Sequence, residues 1–357
     1  MADRFWQNSI SKIKKHKIGF ISLSYIFLCG FVAVFCYFLA PDNSSNANQM
    51  KLEIHSKAPG FRVKMLEIPS SAGNNTSSFF KQLIYGKENK PVQIPIKSYN
   101  VKGNKLEIIS YADGLVKAYP LSIFKNNPRA YIKDKTFWLG TDKYGRDLLS
   151  RLLIGTRISF FIGFIAVSIS LIIGLPIGAI AGYFGGKTDT FIMWLINITW
   201  SIPTLLLVIA LSLALGKGLW QVFTAVGLSM WVEVARVVRG QLITAKQQQY
   251  VEAAKALGFS NFRIIFKHIL PNIYTPLLVI SAANFAAAIL IESGLSFLGI
   301  GAQPPSPSWG VIIKNHYNYI VLGKPFLALI PGLAIMSLVM AFMLLGNTLR
   351  DILAVKH

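Results

Sequence analysis

Six long, mostly apolar stretches constrain this chain more than any other feature of its sequence. They cover residues 18–40, 158–183, 191–215, 220–238, 274–298 and 327–349. A helix needs about 20 apolar residues to cross the hydrocarbon core of a bilayer, so each stretch is near or above that length. Only 14% of the residues are charged, whereas soluble proteins carry about 25%. The sequence therefore predicts an all-α polytopic membrane protein with about six transmembrane helices.

The segments between these stretches suggest how the chain is divided. A short basic N-terminus is expected either to lie as an amphipathic helix on the cytoplasmic membrane surface or to be a disordered tail. A first transmembrane helix, a soluble insertion and a core with five more transmembrane helices follow. The predicted segments are 1–17, 18–40, 41–138 and 139–357, the last with a cytoplasmic loop at 241–271.

The insertion at 41–138 is expected to be mainly β. Alternating runs at 61–68, 92–99 and 105–111 predict strands between turn-rich segments. Large loops cross the membrane largely regardless of their charge, so we expect the insertion to be extracytoplasmic. Two roles remain open for it: docking of a substrate-binding protein, and a structural lid over the mouth of a pore.

The net charge of +21 is a feature that on a soluble domain would indicate a nucleic-acid partner. Here the membrane accounts for much of it, because cytoplasmic loops and anionic lipid headgroups both favour Lys and Arg. No basic patch interleaved with aromatic residues is present, so no nucleic-acid partner is predicted. The basic residues that flank the later stretches predict cytoplasmic N- and C-termini: Arg236, Arg239, Lys246, Lys255, Arg263 and Lys267.

A polar stretch at 247–271 separates two of the apolar ones. Its first half is rich in helix formers, and Tyr250, Ala254 and Leu257 recur at helical spacing as one weakly apolar face. Gly258 is of the type that closes helices in the left-handed conformation. This half is therefore predicted to be a short helix that ends at a glycine joint.

A second short helix is predicted after that joint. Ser260 can cap its N-terminus. Five apolar residues fit the helical template, and they are Phe262, Ile265, Phe266, Ile269 and Leu270. Pro271 stops this helix or starts the next.

The spacing of the two halves resembles the EAA loop of permease subunits in ABC importers. The resemblance rests on Glu252-Ala253-Ala254, Gly258 and Leu270-Pro271. His268 stands where that pattern usually carries isoleucine, a change tolerated in the peptide-importer branch. In this family the first short helix docks into a groove on a separate ATPase subunit and transmits its closure. The resemblance thus implies that seven residues couple to the ATPase: Tyr250, Glu252, Ala253, Ala254, Gly258, Leu270 and Pro271.

Two further runs are typical of the same peptide-permease branch. One is Gly-Thr-Asp-X-X-Gly-Arg-Asp at 140–147, and the other is the proline-rich loop at 303–310. For Asp142, Arg146 and Asp147 we expect structural roles in caps and ion pairs.

The resemblance also implies the architecture and the partners. It implies a type I ABC importer permease core in the bacterial cytoplasmic (inner) membrane, translocating di- or oligopeptides. The implied partners are a second, related permease subunit, cytoplasmic ABC ATPase subunits and an extracytoplasmic substrate-binding protein, with lipid around them. ATP and Mg²⁺ would be bound by the ATPase, so no cofactor is expected in this chain.

Polar residues inside the apolar stretches are candidates for lining a translocation path. They are Asn197, Ser201, Ser281, Asn284 and Glu292. A carboxylate within a membrane span is a functional candidate by default. Glu292 nevertheless comes late in its helix and is expected near the outer interface. Near the inner end of 220–238, Glu233 is expected to form an ion cluster with Arg236 and Arg239.

Glycines recur at a helical spacing along the second apolar stretch. Gly174, Gly178 and Gly182 recur every fourth residue and predict close packing of another helix. The run 181–188 imitates a nucleotide-binding loop, but Ala181 stands where that motif needs glycine. The run also follows a membrane helix rather than a buried strand, so we reject ATP binding here. With no catalytic motif either, the chain is expected not to be an enzyme by itself.

Two alternatives remain at this stage. Within the same class, the chain could be a permease for nickel or another small solute, because such relatives share the loop and the spans. From another class, it could be a membrane-anchored sensor or scaffold with the insertion as its external ligand module. That alternative needs a cytoplasmic signalling domain, and no cytoplasmic segment is long enough to fold alone.

Overall fold

The computed structural model describes residues 15–69, 78–87, 91–124, 127–216 and 218–354. The N-terminal helix predicted over 1–17 therefore lies almost wholly outside the described residues. The chain folds as two compact units. The helical unit comprises Met1–Gly30, Ser159–Gln303 and Leu333–His357, and the insertion unit comprises Phe31–Ile158 and Pro304–Gly332.

Helices dominate the described residues. In chain order they are α1 (Lys17–Leu39), α2 (Phe79–Tyr85), α3 (Leu148–Phe184), α4 (Gly186–Ser201), α5 (Thr204–Leu215), α6 (Leu219–Lys246), α7 (Gln249–Ala256), α8 (Asn261–Arg263), α9 (Tyr274–Leu298), α10 (Trp309–His316) and α11 (Phe326–Ala354). The strands are β1 (Phe61–Ile68), β2 (Val92–Lys102), β3 (Lys105–Ser110), β4 (Val116–Pro120) and β5 (Ile132–Phe137). Short 3₁₀ turns occupy Ser45–Ala47, Leu52–Ile54, Leu121–Ile123, Pro128–Tyr131, Leu270–Asn272 and Tyr317–Tyr319, and a π turn covers Ile264–Ile269.

Five helices of the described residues are each long and apolar enough to cross a membrane. They are α1, α3, α6, α9 and α11, and α4 with α5 makes a sixth if the bent pair is one span. The predicted polytopic all-α fold is thereby confirmed. The apolar stretch at 191–215 is not one continuous helix, because α4 and α5 meet at 91° on either side of Ile202 and Pro203. A bend at this place is what a proline inside the stretch predicts, since proline kinks or breaks a helix. Proline disfavours the helical conformation in the residue before it, and Ile202 is extended (φ −90°, ψ 126°).

The glycine stripe of α3 faces α6, as its spacing predicts. A methyl group on Gly174 would lie 2.5 Å from the carbonyl oxygen of Trp231, and one on Gly182 would lie 2.7 Å from that of Arg239. Carbon atoms in ordinary contact are about 3.5–4.0 Å apart. Only glycine therefore allows the two backbones to approach this closely.

The insertion unit contains one antiparallel sheet with the strand order β4-β3-β2-β1-β5. The three predicted strands correspond to β1, β2 and β3 and are confirmed. Sequence reasoning missed β4 and β5, because β4 is short and β5 alternates lysine with only a few apolar residues. Residues Leu66, Ile96, Leu106 and Ile108 form one buried cluster of the sheet with Phe124.

The Gly-Thr-Asp run forms a tight turn ahead of α3. The buried carboxylate of Asp142 accepts hydrogen bonds from the backbone of Tyr144 (2.8 Å) and of Arg146 (2.9 Å), and from Arg146 Nε (2.6 Å). Asp147 accepts a bond from the backbone N–H of Ser150 in the first turn of α3 (3.3 Å). The structural roles expected for Asp142, Arg146 and Asp147 are confirmed.

Candidate functional site

The polar stretch after α6 forms an elbow of two short helices, as predicted. Helix α7 ends before Gly258, which adopts the left-handed conformation (φ +76°). Ser260 Oγ accepts a hydrogen bond from the backbone N–H of Arg263 (3.4 Å) and so caps α8. The helical path then continues through the π turn at Ile264–Ile269 to Asn272. We call residues 247–272 the elbow.

The inner face of the elbow packs on α3 and α6. Val251 and Ala254 of α7 are buried with Ile264, Ile265 and Ile269. Their partners in the same apolar cluster come from α3 and α6, and include Ala179, Tyr183, Val238, Leu242 and Ala245. The elbow is therefore joined to two long helices by a continuous core rather than by its chain ends alone.

The predicted apolar face of α7 is rotated from the observed one. Ala254 is buried as expected, but the buried partner is Val251, while Tyr250 and Leu257 face outward, Leu257 with 71% of its surface exposed. On a helix this short a few apolar residues fit more than one face. The position of the core on α3 and α6 selects the face that contains Val251.

The second half of the elbow shows a similar correction. Ile265 and Ile269 are buried as predicted, but Phe262 is 71% exposed and Phe266 is exposed too. The π turn has a wider repeat than an α-helix, and it brings Ile264 to the buried face with Ile269. The two phenyl rings then point outward together, with their centroids 4.3 Å apart.

One polar contact joins the elbow to the end of α3, and a second joins the ends of α3 and α6 beside it. The hydroxyl of Tyr183 donates to Asn261 Oδ1 (2.9 Å), and Lys246 Nζ donates to the carbonyl oxygen of Tyr183 (2.6 Å). Across the joint, the rings of Phe259 and His268 stack with centroids 5.5 Å apart. His268, which stands where the EAA loop pattern usually carries isoleucine, thus packs its ring on Phe259.

The outer face of the elbow is exposed and chemically mixed. It presents apolar, small and charged side chains, namely Tyr250, Glu252, Ala253, Lys255, Leu257, Phe262 and Phe266. Of the other residues implied in coupling, Ala254 is buried, Leu270 is half-buried and Pro271 is exposed. Aromatic side chains on an exposed face are typical of protein interfaces.

A groove of about 430 Å³ opens beside this face. It is lined by Ala181, Gly182, Gly185, Asp189, Ile243, Lys246, Gln247, Glu252 and Lys255. The run that imitates a nucleotide-binding loop contributes to one wall, and it joins α3 to α4 without a strand before it. In the part of the chain that the structure describes, no group of three His, Cys, Asp or Glu side chains could hold a metal ion.

The expected ion cluster of Glu233 with Arg236 and Arg239 is wrong. Arg239 instead holds Asp189 of α4 through two hydrogen bonds. The guanidinium of Arg236 lies over the ring of Trp200, 3.7 Å from its centroid. These pairs join separate helices, so helical spacing within α6 carries no signal for them.

The five pathway candidates differ in their surroundings. Asn197 and Ser201 of α4 are exposed, and Ser281 of α9 is half-buried. Asn284 and Glu292 of α9 are buried. Ser296 Oγ donates to Glu292 Oε1 (2.6 Å) and accepts from the backbone N–H of Ala302 (3.0 Å). Glu292 thus supports the turn after α9, and lining of a path by any of the five remains a prediction.

Comparison with known proteins identifies the class. The family described as "Binding-protein-dependent transport system inner membrane component" matches residues 174–356. A glutathione transport system permease protein of Pectobacterium atrosepticum is 40% identical over 219 residues, which cover 61% of this chain and 72% of the relative. A dipeptide transport system permease protein of Bacillus subtilis is 41% identical over 219 residues, with 61% and 68% covered. An oligopeptide transport system permease protein of the same species is 39% identical over 222 residues, with 62% and 72% covered.

Among solved structures, an inward-facing form of the MetNI methionine ABC transporter is similar to this chain. Its TM-score is 0.48 at 20% identity, with 58% of this chain and 96% of that chain covered.

The apolar helices, taken with the family and the relatives that the chain matches, identify a multi-pass transport subunit of the inner membrane. The chain belongs to the family of binding-protein-dependent transport system inner membrane components. Members of this family are the permease subunits of ABC importers, which are not catalytic themselves and work with ATPase and substrate-binding subunits. The family-level expectation from the sequence is confirmed.

Proposed function

We propose that this chain translocates peptides across the inner membrane. The transport is driven by a separate ATPase that binds the outer face of the elbow. One observation carries the proposal. The elbow presents aromatic and charged side chains outward, while its inner face shares one buried core with α3 and α6. A load applied to the outer face is therefore passed to two membrane helices.

The elbow acts mechanically in this proposal. Closure of the ATPase on ATP and Mg²⁺ displaces the elbow, and the packed interior does not deform continuously, so α3 and α6 move with it. The fastening of Tyr183 to Asn261 and of Lys246 to Tyr183 supports this transfer. The seven EAA-type residues named from the sequence serve the coupling. Glu252 and Ala253 lie on the docking face, and Ala254 is buried beneath it.

The substrate class comes from the relatives. The names of the three relatives quoted above refer to dipeptides, oligopeptides and glutathione, all of which are peptides. We infer that the substrate of this chain is a small peptide, delivered by an extracytoplasmic binding protein. A second, related permease subunit would complete the path, with lipid around the pair.

The elbow and both termini are placed in the cytoplasm in this proposal. The basic residues around the elbow support this side, because cytoplasmic flanks of membrane helices are enriched in Lys and Arg. The insertion with its sheet then lies on the other side of the membrane.

The test introduces a negative charge on the outer face of the elbow, the face that binds the ATPase in this proposal. In Phe262→Asp, a carboxylate replaces an exposed ring that contacts Phe266. Loss of an aromatic hot spot costs about 2 kcal/mol or more of binding, which is about 30-fold in affinity. We expect the ATPase subunits to be lost on purification and ATP-driven uptake of a labelled dipeptide to fall with them. Val321→Asp is the matched control, because Val321 is 91% exposed in the insertion unit.

Two results would contradict the proposal. One is normal ATPase retention together with normal uptake in Phe262→Asp. The other is uptake of labelled nickel, but not of any small peptide, by the intact wild-type complex.

A further inference from the structure

The short helix α2 of the insertion unit has a surface unsuited to water. Five of its seven residues are large and apolar, and four of these are between 47% and 71% exposed: Phe79, Phe80, Ile84 and Tyr85. Each exposed apolar Å² costs about 25 cal/mol relative to burial. A seven-residue helix is also too short to be stable on its own. Something must both hold α2 in place and cover its apolar surface.

The N-terminal end of α2 rests on the end of the first membrane span. The rings of Phe79 and Phe38 stack with centroids 5.3 Å apart and planes inclined by 26°. Phe38 belongs to the last turn of α1, where Leu39 is exposed beside it. The apolar surface of α2 is therefore continuous with the exposed apolar surface at this end of α1.

The C-terminal end of α2 is held by the next span. Arg157 Nη1 donates to the carbonyl oxygens of Leu83 (2.9 Å) and Ile84 (3.0 Å). These are carbonyls of the last turn, which have no partner inside a helix. Arg157 immediately precedes the uncharged stretch that begins at residue 158, so its charge marks where that span enters the interface.

A third contact fixes the residues that follow α2 to the end of α1. The backbone N–H of Lys87 donates to the carbonyl oxygen of Asn43, just beyond the end of α1 (2.8 Å). Gly86 between them is left-handed (φ +73°), and a Cβ there would lie 2.8 Å from the same oxygen. Helix α2 is thus fixed beside the C-terminal end of α1 and the start of the uncharged stretch of α3.

We propose that α2 is an interfacial anchor, with Phe79, Phe80, Ile84 and Tyr85 embedded at the boundary between the headgroups and acyl chains of the bilayer. Short helices with a large apolar face lie in this plane, and aromatic side chains favour it. The occupant of the apolar surface is lipid, because that surface continues the exposed apolar surface of α1, a helix long and apolar enough to cross a membrane. The anchor ties the insertion to the membrane at a point more than 35 residues along the chain from α1.

The experiment measures lipid contact in the intact transport complex reconstituted in liposomes. Cys29 and Cys36 are free and buried, and both are replaced by alanine. A polarity-sensitive fluorophore is then attached to Phe80→Cys or, as the matched control, to Val116→Cys on the exposed edge strand β4. Quenchers carried on lipid chains and iodide in the buffer are compared at the two sites.

We expect the label at position 80 to be quenched by the lipid-borne group and to be several-fold less sensitive to iodide than the label at 116. Free access of iodide to position 80 would overturn the proposal. Protection from iodide without lipid quenching would also overturn it, because it would mean that a protein covers α2.

A second measurement needs no substitution. A photoreactive lipid analogue in the same liposomes should label the peptide that contains α2 in the wild-type chain. Labelling no higher than that of the peptide containing β4 would overturn the proposal even if the cysteine variants failed to assemble.

Discussion

Arg239 forms a bidentate ion pair with Asp189, in which Nε donates to Oδ1 at 2.5 Å and Nη2 donates to Oδ2 at 2.6 Å. The arginine lies near the C-terminal end of α6, and the aspartate lies in the first turn of α4, where a negative charge is favoured by the helix dipole. This pair fixes the broken span to the helix that carries the elbow. Asp189 also lines the groove beside the outer face of the elbow.

The first prediction concerns that pair. Arg239→Lys keeps the charge but cannot make both bonds in a fixed plane. Hydrogen bonds to charged groups contribute about 1.5–3 kcal/mol, and partial exposure places this pair near the lower end. We expect a lower thermal unfolding temperature of the complex for Arg239→Lys and a still lower one for Arg239→Ala. Arg350→Lys is the control, because its pair with Asp351 is exposed; equal effects at the two positions would contradict the prediction.

The second prediction concerns the joint of the elbow. A Cβ on Gly258 would have no atom within 4 Å, so a substitution there acts through the backbone alone. A valine resists the left-handed conformation, which costs about 1–3 kcal/mol. We expect Gly258→Val to lose ATP-driven uptake, with either idle ATP hydrolysis or failure to retain the ATPase. Gly258→Asn should be much milder, because asparagine tolerates this conformation. Wild-type uptake by the valine variant would remove the joint from the mechanism.

The third prediction concerns the seam between α3 and α6. A methyl group on Gly178 would contact the backbone of Ala235, with Cα at 2.9 Å. Overpacking of this kind costs about 1–3 kcal/mol. We expect Gly178→Ala to lower the unfolding temperature and the yield of folded complex. Gly240→Ala on α6 introduces the same methyl group where no atom lies within 4 Å, and it should leave both unchanged or slightly improved.

The fourth prediction separates support from transport at Glu292. Glu292→Gln keeps an acceptor for the hydroxyl of Ser296, whereas Glu292→Ala does not. We expect near-normal uptake for the glutamine variant, and faster hydrogen exchange of the turn at 299–303 for the alanine variant. Ser296→Ala should loosen the same turn. A large loss of uptake in Glu292→Gln, with normal assembly, would instead place the carboxylate charge in the path.

The fifth prediction is a pH dependence in the insertion unit. Burial lowers the pKa of His316 below its usual value of about 6.5, with a partly opposing effect of its bond to the Ile312 carbonyl. Nearby, Asp142 raises this pKa, whereas Lys143 and Arg146 lower it. The folded state therefore binds fewer protons than the unfolded state below pH ~6.5, and stability falls as the pH drops through that window.

Hydrogen exchange of the peptide containing α10 measures this effect. Exchange should be faster at about pH 5.5 than at about pH 7.5, after correction for the intrinsic rates, because the opened state gains a proton on His316 in this range that the folded state resists. His316→Gln should remove most of the difference. An unchanged difference in that variant would assign the pH dependence to another group.

The local patterns of the sequence predicted much of the candidate site. Gly258 ends the first helix of the elbow and Ser260 caps the second, as expected, because a left-handed glycine and a capping hydroxyl act through the backbone of their immediate neighbours. The faces of its helices were only half predicted. Val251 and Ile264 became core, while Leu257 and Phe262 were left outside, since the neighbours that choose a face come from α3 and α6.

The same division holds for the whole chain. The sequence alone determined that the chain crosses a membrane, where its long apolar helices are, and that α3 and a partner helix meet along glycines, because apolar length, helical period and missing side chains act locally. Only the tertiary structure decided that Arg239 pairs with Asp189 rather than with Glu233, how sharply the chain bends at Pro203, and that α2 is tied to the ends of α1 and α3. Those outcomes depend on groups far apart in the chain, and no local spacing can encode which of them become neighbours.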